Sequence, residues 1–163
     1  MSNPNTPAEG CQRCAELEDP LPRTEIAVIV MDGKGKVLLG RSGEGVDKDK
    51  LTVPIGYLLP FESMSDAASR LVFEWARRDV KPKDVLFICE AIDRRKEYHR
   101  IVIFVFADPL GGELGEDTPM WVSLNDLGEY QDQMSDIAVD GFYKLSIVLK
   151  SHAGKVNIQP AQA

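Results

Sequence analysis

The chain has 163 residues, 44% of them hydrophobic and 28% charged, with a formal net charge of −7. That length supports one domain with a real core, and the acidic balance argues against general nucleic-acid binding, which needs a basic face. No apolar run approaches the roughly 18 residues of a membrane span, Met1 to Gly10 has neither the basic start nor the apolar stretch of a secretory signal, and an odd cysteine count, three, does not suggest a disulfide framework; the expected compartment is the cytoplasm.

Residues 1–22 hold Pro4, Pro7, Pro20 and Pro22 and few large apolar residues, and read as a flexible N-terminal arm. Ile26-Ala-Val-Ile-Val30 is a dense apolar, mostly β-branched run that predicts a buried strand from Thr24 to Met31. Asp32-Gly-Lys-Gly-Lys36 predicts a hairpin-type turn, with a second strand from Lys36 to Arg41. A polar, Gly-rich loop from Ser42 to Lys50 leads to a short extended piece, Leu51 to Pro54. Ser65 to Arg78 is expected as a helix, capped at its start by Ser63 or Ser65, with Ser63 and Asp66 at capping-box spacing. Lys81-Pro82 is expected to end it. Strands are expected over Asp84 to Ala91 and Tyr98 to Ala107, around a charged hairpin tip, Asp93-Arg-Arg-Lys-Glu97. Asp108 to Gly112 reads as a turn and Met120 to Ser123 as a last short strand. Ser123-Leu-Asn-Asp126 opens a short helix. Ile137 to Ser151 is an amphipathic helix, with Ala138, Phe142, Leu145 and Leu149 at helical spacing. From His152 the chain is polar and reads as a tail.

This order of elements gives a mixed α/β domain over residues 23–151. Within it, Gly56, Glu62, Arg70, Val72 and Glu74 keep the spacing of Gly-x5-Glu-x7-Arg-Glu-U-x-Glu-Glu-x-Gly-U, with U a bulky aliphatic. The segment resembles the Nudix box. The Trp121-Val-Ser-Leu-Asn-Asp-Leu127 stretch is similar to the Trp-x-x-x-x-Glu-Leu element that commonly follows in that family. The resemblance implies a Nudix-like α/β/α sandwich with a mixed sheet. It departs from the pattern at Leu71 and Trp75, where the box has Glu, and at Arg77 and Arg78, where it has Gly and an aliphatic.

The resemblance implies hydrolysis of a nucleoside diphosphate-linked substrate with Mg²⁺ or Mn²⁺. Hard cations take oxygen ligands, and such ions neutralise developing charge and activate water. Positions 71, 74 and 75 lie on one face of a helix, so Glu74 alone supplies a carboxylate there. The site carried over is therefore Glu74 and Arg70 as catalytic residues, with the Gly56 carbonyl, Glu62 and Glu74 as metal ligands. With two box glutamates replaced, the expected activity is weakened or absent. The other reading is a non-catalytic Nudix-fold module that binds a nucleotide-like ligand or a protein partner.

Each of these residues has a plainer explanation beside the functional one. Glu74 can pair with Arg78 at i+4, Glu62 can stabilise the helix N-terminus, and Leu71 and Trp75 can be core residues or fill the former metal cavity. The Arg94-Arg95-Lys96 and His99-Arg100 cluster could hold phosphates or simply blunt a hairpin tip. Glu90, Asp93, Glu97, Glu113 and Glu116 are acids that could complete a metal site from outside the box. Cys11 and Cys14 have metal-type spacing; since a closed zinc site needs four ligands, zinc would require this pair from each of two chains in a homodimer, and two free thiols is the plainer reading. The expected partner is a nucleotide-like small molecule, with a homodimer or a protein partner left open.

Overall fold

A computed structural model describes residues 22–43, 47–95, 98–111 and 120–150. The expected tail and all of the expected arm but Pro22 lie outside these, as do Cys11, Cys14, Glu97, Glu113 and Glu116. The elements in chain order are β1 (Arg23–Val30), β2 (Lys36–Arg41), β3 (Leu51–Thr52), β4 (Ile55–Tyr57), α1 (Met64–Ala76), β5 (Val80–Asp93), β6 (Tyr98–Pro109), β7 (Met120–Ser123), α2 (Leu127–Tyr130), a 3₁₀ turn (Gln131–Gln133) and α3 (Asp136–Lys150).

The unbroken apolar run of β1 places it at the centre, because a strand buried on both faces has no polar alternation to keep. It pairs parallel with β6 and antiparallel with β4, and β5 closes the far edge, giving the order β4-β1-β6-β5. Its even positions, Ile26, Val28 and Val30, pack under Ala67, Ala68, Leu71 and Val72 of α1. Its odd positions, Ala27 and Ile29, face Phe142, Ala138 and Leu145 of α3, along with Val37 and Leu39 of β2. A second sheet, β3-β2-β7, lies beside this second core. The sheet is mixed and has a helix on each face, as expected. No helix among the described residues is long and apolar enough to cross a membrane.

Three local expectations are corrected. The Asp32–Lys36 turn forms, with Asp32 Oδ1 accepting from the Lys34 and Lys36 amides at 2.8 Å each and Gly35 at φ 76°. Yet β2 leaves β1 after one bridge, Met31 to Val37, and from Lys36 to Leu39 its backbone pairs with β7 instead. The helix stops at Ala76, before Lys81-Pro82, because Arg77 turns left-handed (φ 51°) and its amide closes on Phe73 O. Pro82 then sits inside β5, a longer strand than expected; β5 is the outer strand of its sheet, and its register with β6 slips between Pro82 and Phe87. Edge strands and bulges are where a residue without an N–H is tolerated.

Candidate functional site

The box segment starts on a strand and ends on a helix. Gly56 lies in β4 opposite Ile26. The chain then turns through Phe61, which holds a left-handed φ of 63°. Ser63 caps α1: its Oγ accepts from the Asp66 amide at 3.0 Å and donates to Asp66 Oδ2 at 2.7 Å.

Arg70 fastens the turn to the helix. Its Nε and Nη2 donate to the two oxygens of Glu62 at 2.6 and 2.8 Å, the bidentate geometry that makes such pairs strong. Nη2 also donates to Tyr57 O at 3.0 Å, and Nη1 to Glu74 Oε2 at 3.2 Å. Glu62 Oε2 accepts the Leu59 amide as well, at 3.1 Å. The Arg70 hydrogen bonds hold the Glu62 carboxyl below its ordinary range.

Four residues of the sequence-derived site, Gly56, Glu62, Arg70 and Glu74, are thus brought together, but not as a metal centre. Glu62 spends both oxygens on Arg70. The Glu74 side chain is 58% exposed and leans on Arg70, which corrects the expected pairing with Arg78. Arg78 is instead buried and donates to Gly111 O at 2.9 Å. Leu71, only 7% exposed, lies against Gly56, where an added Cβ would stand 2.5 Å from Leu71 Cδ2. Trp75 is half-buried against the same core. An apolar side chain therefore stands at a position where the resemblance implies a carboxylate, and among the described residues no three His, Cys, Asp or Glu side chains converge on a common point. This donor set does not fit the Mg²⁺ or Mn²⁺ that the resemblance implies.

Gly56, Arg70, Leu71 and Glu74 form one side of a cavity of about 600 Å³. Glu25 of β1, Tyr98 and Arg100 of β6, and Asp47 of the loop after β2 also line it. Arg100 Nη1 donates to Glu25 Oε2 at 3.3 Å, and its guanidinium lies 4.9 Å from the Tyr98 ring centre. Burial pushes the Glu25 carboxyl above its ordinary range, opposed by Arg100.

Sequence reasoning missed Glu25, a single acid just ahead of an apolar run, and it grouped Arg100 with a surface cluster. The structure divides that cluster. Arg94 and Arg95 are in the turn after β5, His99 Nε2 lies 2.7 Å from Glu90 Oε1, and Arg100 faces the cavity. The signal available was strand alternation: Tyr98 and Arg100 fall two apart on β6 and therefore share a face.

No family model matches the chain, and no curated protein matches it in sequence. Solved structures do. A Nudix hydrolase from Nitrosomonas europaea superposes with a TM-score of 0.63 at 20% identity, over 85% of this chain and 93% of that one. A MutT protein from Methanosarcina mazei Go1 gives 0.64 at 21% identity, over 82% and 98%. A bifunctional NMN adenylyltransferase/ADP ribose pyrophosphatase from Francisella tularensis, complexed with AMP and a Mn ion, gives 0.63 at 15% identity; the match covers 88% of this chain and 45% of that larger protein. The chain has the Nudix fold, as the frame of residues 56–74 implied.

Proposed function

We propose that residues 23–151 form a single Nudix-fold domain whose cavity binds a nucleoside diphosphate-linked or similar nucleotide-like molecule, with pyrophosphate hydrolysis weakened or absent. The observation that carries this reading is Leu71 packed over Gly56 while Arg70 engages both oxygens of Glu62. Beside them is a cavity lined by both charged and apolar side chains, with Glu74 as the one box carboxylate not wholly committed. Arg70 and Glu62 are then positioning residues, holding the Tyr57–Glu62 turn against α1. The cytoplasm is the compartment we propose.

The test is a panel of nucleoside diphosphate derivatives with and without Mg²⁺ and Mn²⁺, followed by thermal shift and by phosphate release. The expected result is a raised melting temperature with at least one compound and little or no release. A panel without any thermal shift overturns the reading.

The hydrolase names of the structural neighbours support a second reading, in which metal-dependent cleavage survives. Glu74 would then be its surviving carboxylate, with the Gly56 carbonyl and Glu62 as the remaining ligands only once Glu62 gives up its hydrogen bonds to Arg70. Release that is metal-dependent and lost in Glu74→Gln would establish it.

A further inference from the structure

Two guanidinium groups line the cavity, and they differ in how their donors are used. Arg70 is committed to Glu62, Glu74 and Tyr57 O. Arg100 is not. Its side chain is 16% exposed, its bond to Glu25 is a long 3.3 Å, Asp47 Oδ2 lies 3.9 Å away, beyond hydrogen-bond reach, and its Nε is buried with no partner among the described residues. A guanidinium carries five N–H donors in a fixed fork, and a buried charged donor left unpaired is costly. The guanidinium carbon lies over the Tyr98 ring, 4.9 Å from its centre, a cation–π contact that uses none of those donors.

From this we propose that Arg100 receives the phosphoryl oxygens of the cavity's ligand directly, with no metal ion between them. The inference rests on the nucleotide-like ligand proposed above and supplies what the altered box cannot, a positive group for the phosphate. Phosphoryl oxygens suit the guanidinium fork and would replace the long contacts to Glu25 and Asp47 with short, charge-assisted ones. Glu25 then loses the partner that opposes its burial. Of the described charged groups that act on it, Asp47 and Arg23 remain, and the buried carboxyl takes up a proton as the anion binds.

The experiment is titration calorimetry of the purified protein with ADP and with inorganic pyrophosphate, in chelator, in two buffers of different ionisation heat. Wild type is compared with Arg100→Met, Arg100→Lys, Glu25→Gln and, as a control for lost surface charge, Arg94→Met. The expected result is metal-free binding, weakened about tenfold to a hundredfold in Arg100→Met. Arg100→Lys should weaken it less, Arg94→Met should leave it unchanged, and proton uptake should vanish in Glu25→Gln. If Arg100→Met does not fold, Arg100→Lys decides, since it keeps the charge and loses the fork. Binding that survives both substitutions at Arg100, or that appears only when Mg²⁺ or Mn²⁺ is added, overturns the role of Arg100 and leaves the ligand-binding reading standing. No binding of either probe, with or without metal, overturns the role of Arg100; the wider nucleotide panel then decides the reading itself.

Discussion

Leu71 packs on Gly56, and a double-mutant cycle tests that contact. Gly56→Ala places a methyl 2.5 Å from Leu71 Cδ2, against an ordinary carbon–carbon contact of about 3.5–4.0 Å. Gly56 has no left-handed φ, so the effect is steric alone. Leu71 cannot swing aside freely, because it shares a core with Ala67, Ala68 and Val72 of its own helix and with Ile26 of β1. Overpacking of this kind costs about 1–3 kcal/mol. Leu71→Ala should cost about 2–5 kcal/mol, toward the lower end because its side chain borders the cavity and the gap can open to water. In the double mutant the methyl added at position 56 enters the space Leu71 vacated, so the loss should fall short of the sum by roughly 1–2 kcal/mol. Urea midpoints at constant slope report all three variants. Losses that add within about 0.5 kcal/mol would mean that Leu71 does not lie on Gly56, and the argument that an apolar side chain holds the carboxylate's place would fail.

Gly141→Ala in α3 should destabilise by about 1–3 kcal/mol, because the new methyl meets the rigid, fully buried ring of Phe104; a neutral result in urea denaturation would show that α3 stands further off the sheet. Trp75→Ala should cost less than the roughly 3–5 kcal/mol typical of a fully buried Trp, since its ring is only half-buried; a loss in that range would place the ring in the core. Arg70 holds Glu62 below its ordinary pKa of 4.5, so the pair contributes stability above pH 4.5 that is lost as pH falls through the lowered value. The stability gap between wild type and Arg70→Met should therefore shrink on acidification below 4.5, and a gap that widens there in pH-dependent urea curves would contradict the pairing.

Much of the fold was legible because its signals are local. The run Ile26 to Val30 reads as a strand buried on both faces, and the structure packs its alternate residues accordingly, Ile26, Val28 and Val30 against α1 and Ala27 and Ile29 against α3. The spacing from Gly56 to Glu74 placed a turn and a capped helix, and Ser63 does cap it. Spacing alone put Leu71 and Glu74 on one helix. Local pattern failed where a distant partner decided the outcome. Pro82 reads as a helix stop, yet it is accommodated in β5 because that strand lies at the sheet edge, which only sheet order reveals. Glu74 has an arginine both before and after it at helical spacing, and the choice of Arg70 follows from Glu62 and Tyr57 O already holding that guanidinium in place. Glu25 and Arg100 are 75 residues apart and face one cavity only because β1 and β6 pair in parallel. Residue type and spacing determine what an element is and which side chains share its face; which faces meet depends on strand order and register, and those are set by long-range burial that no local window of sequence contains.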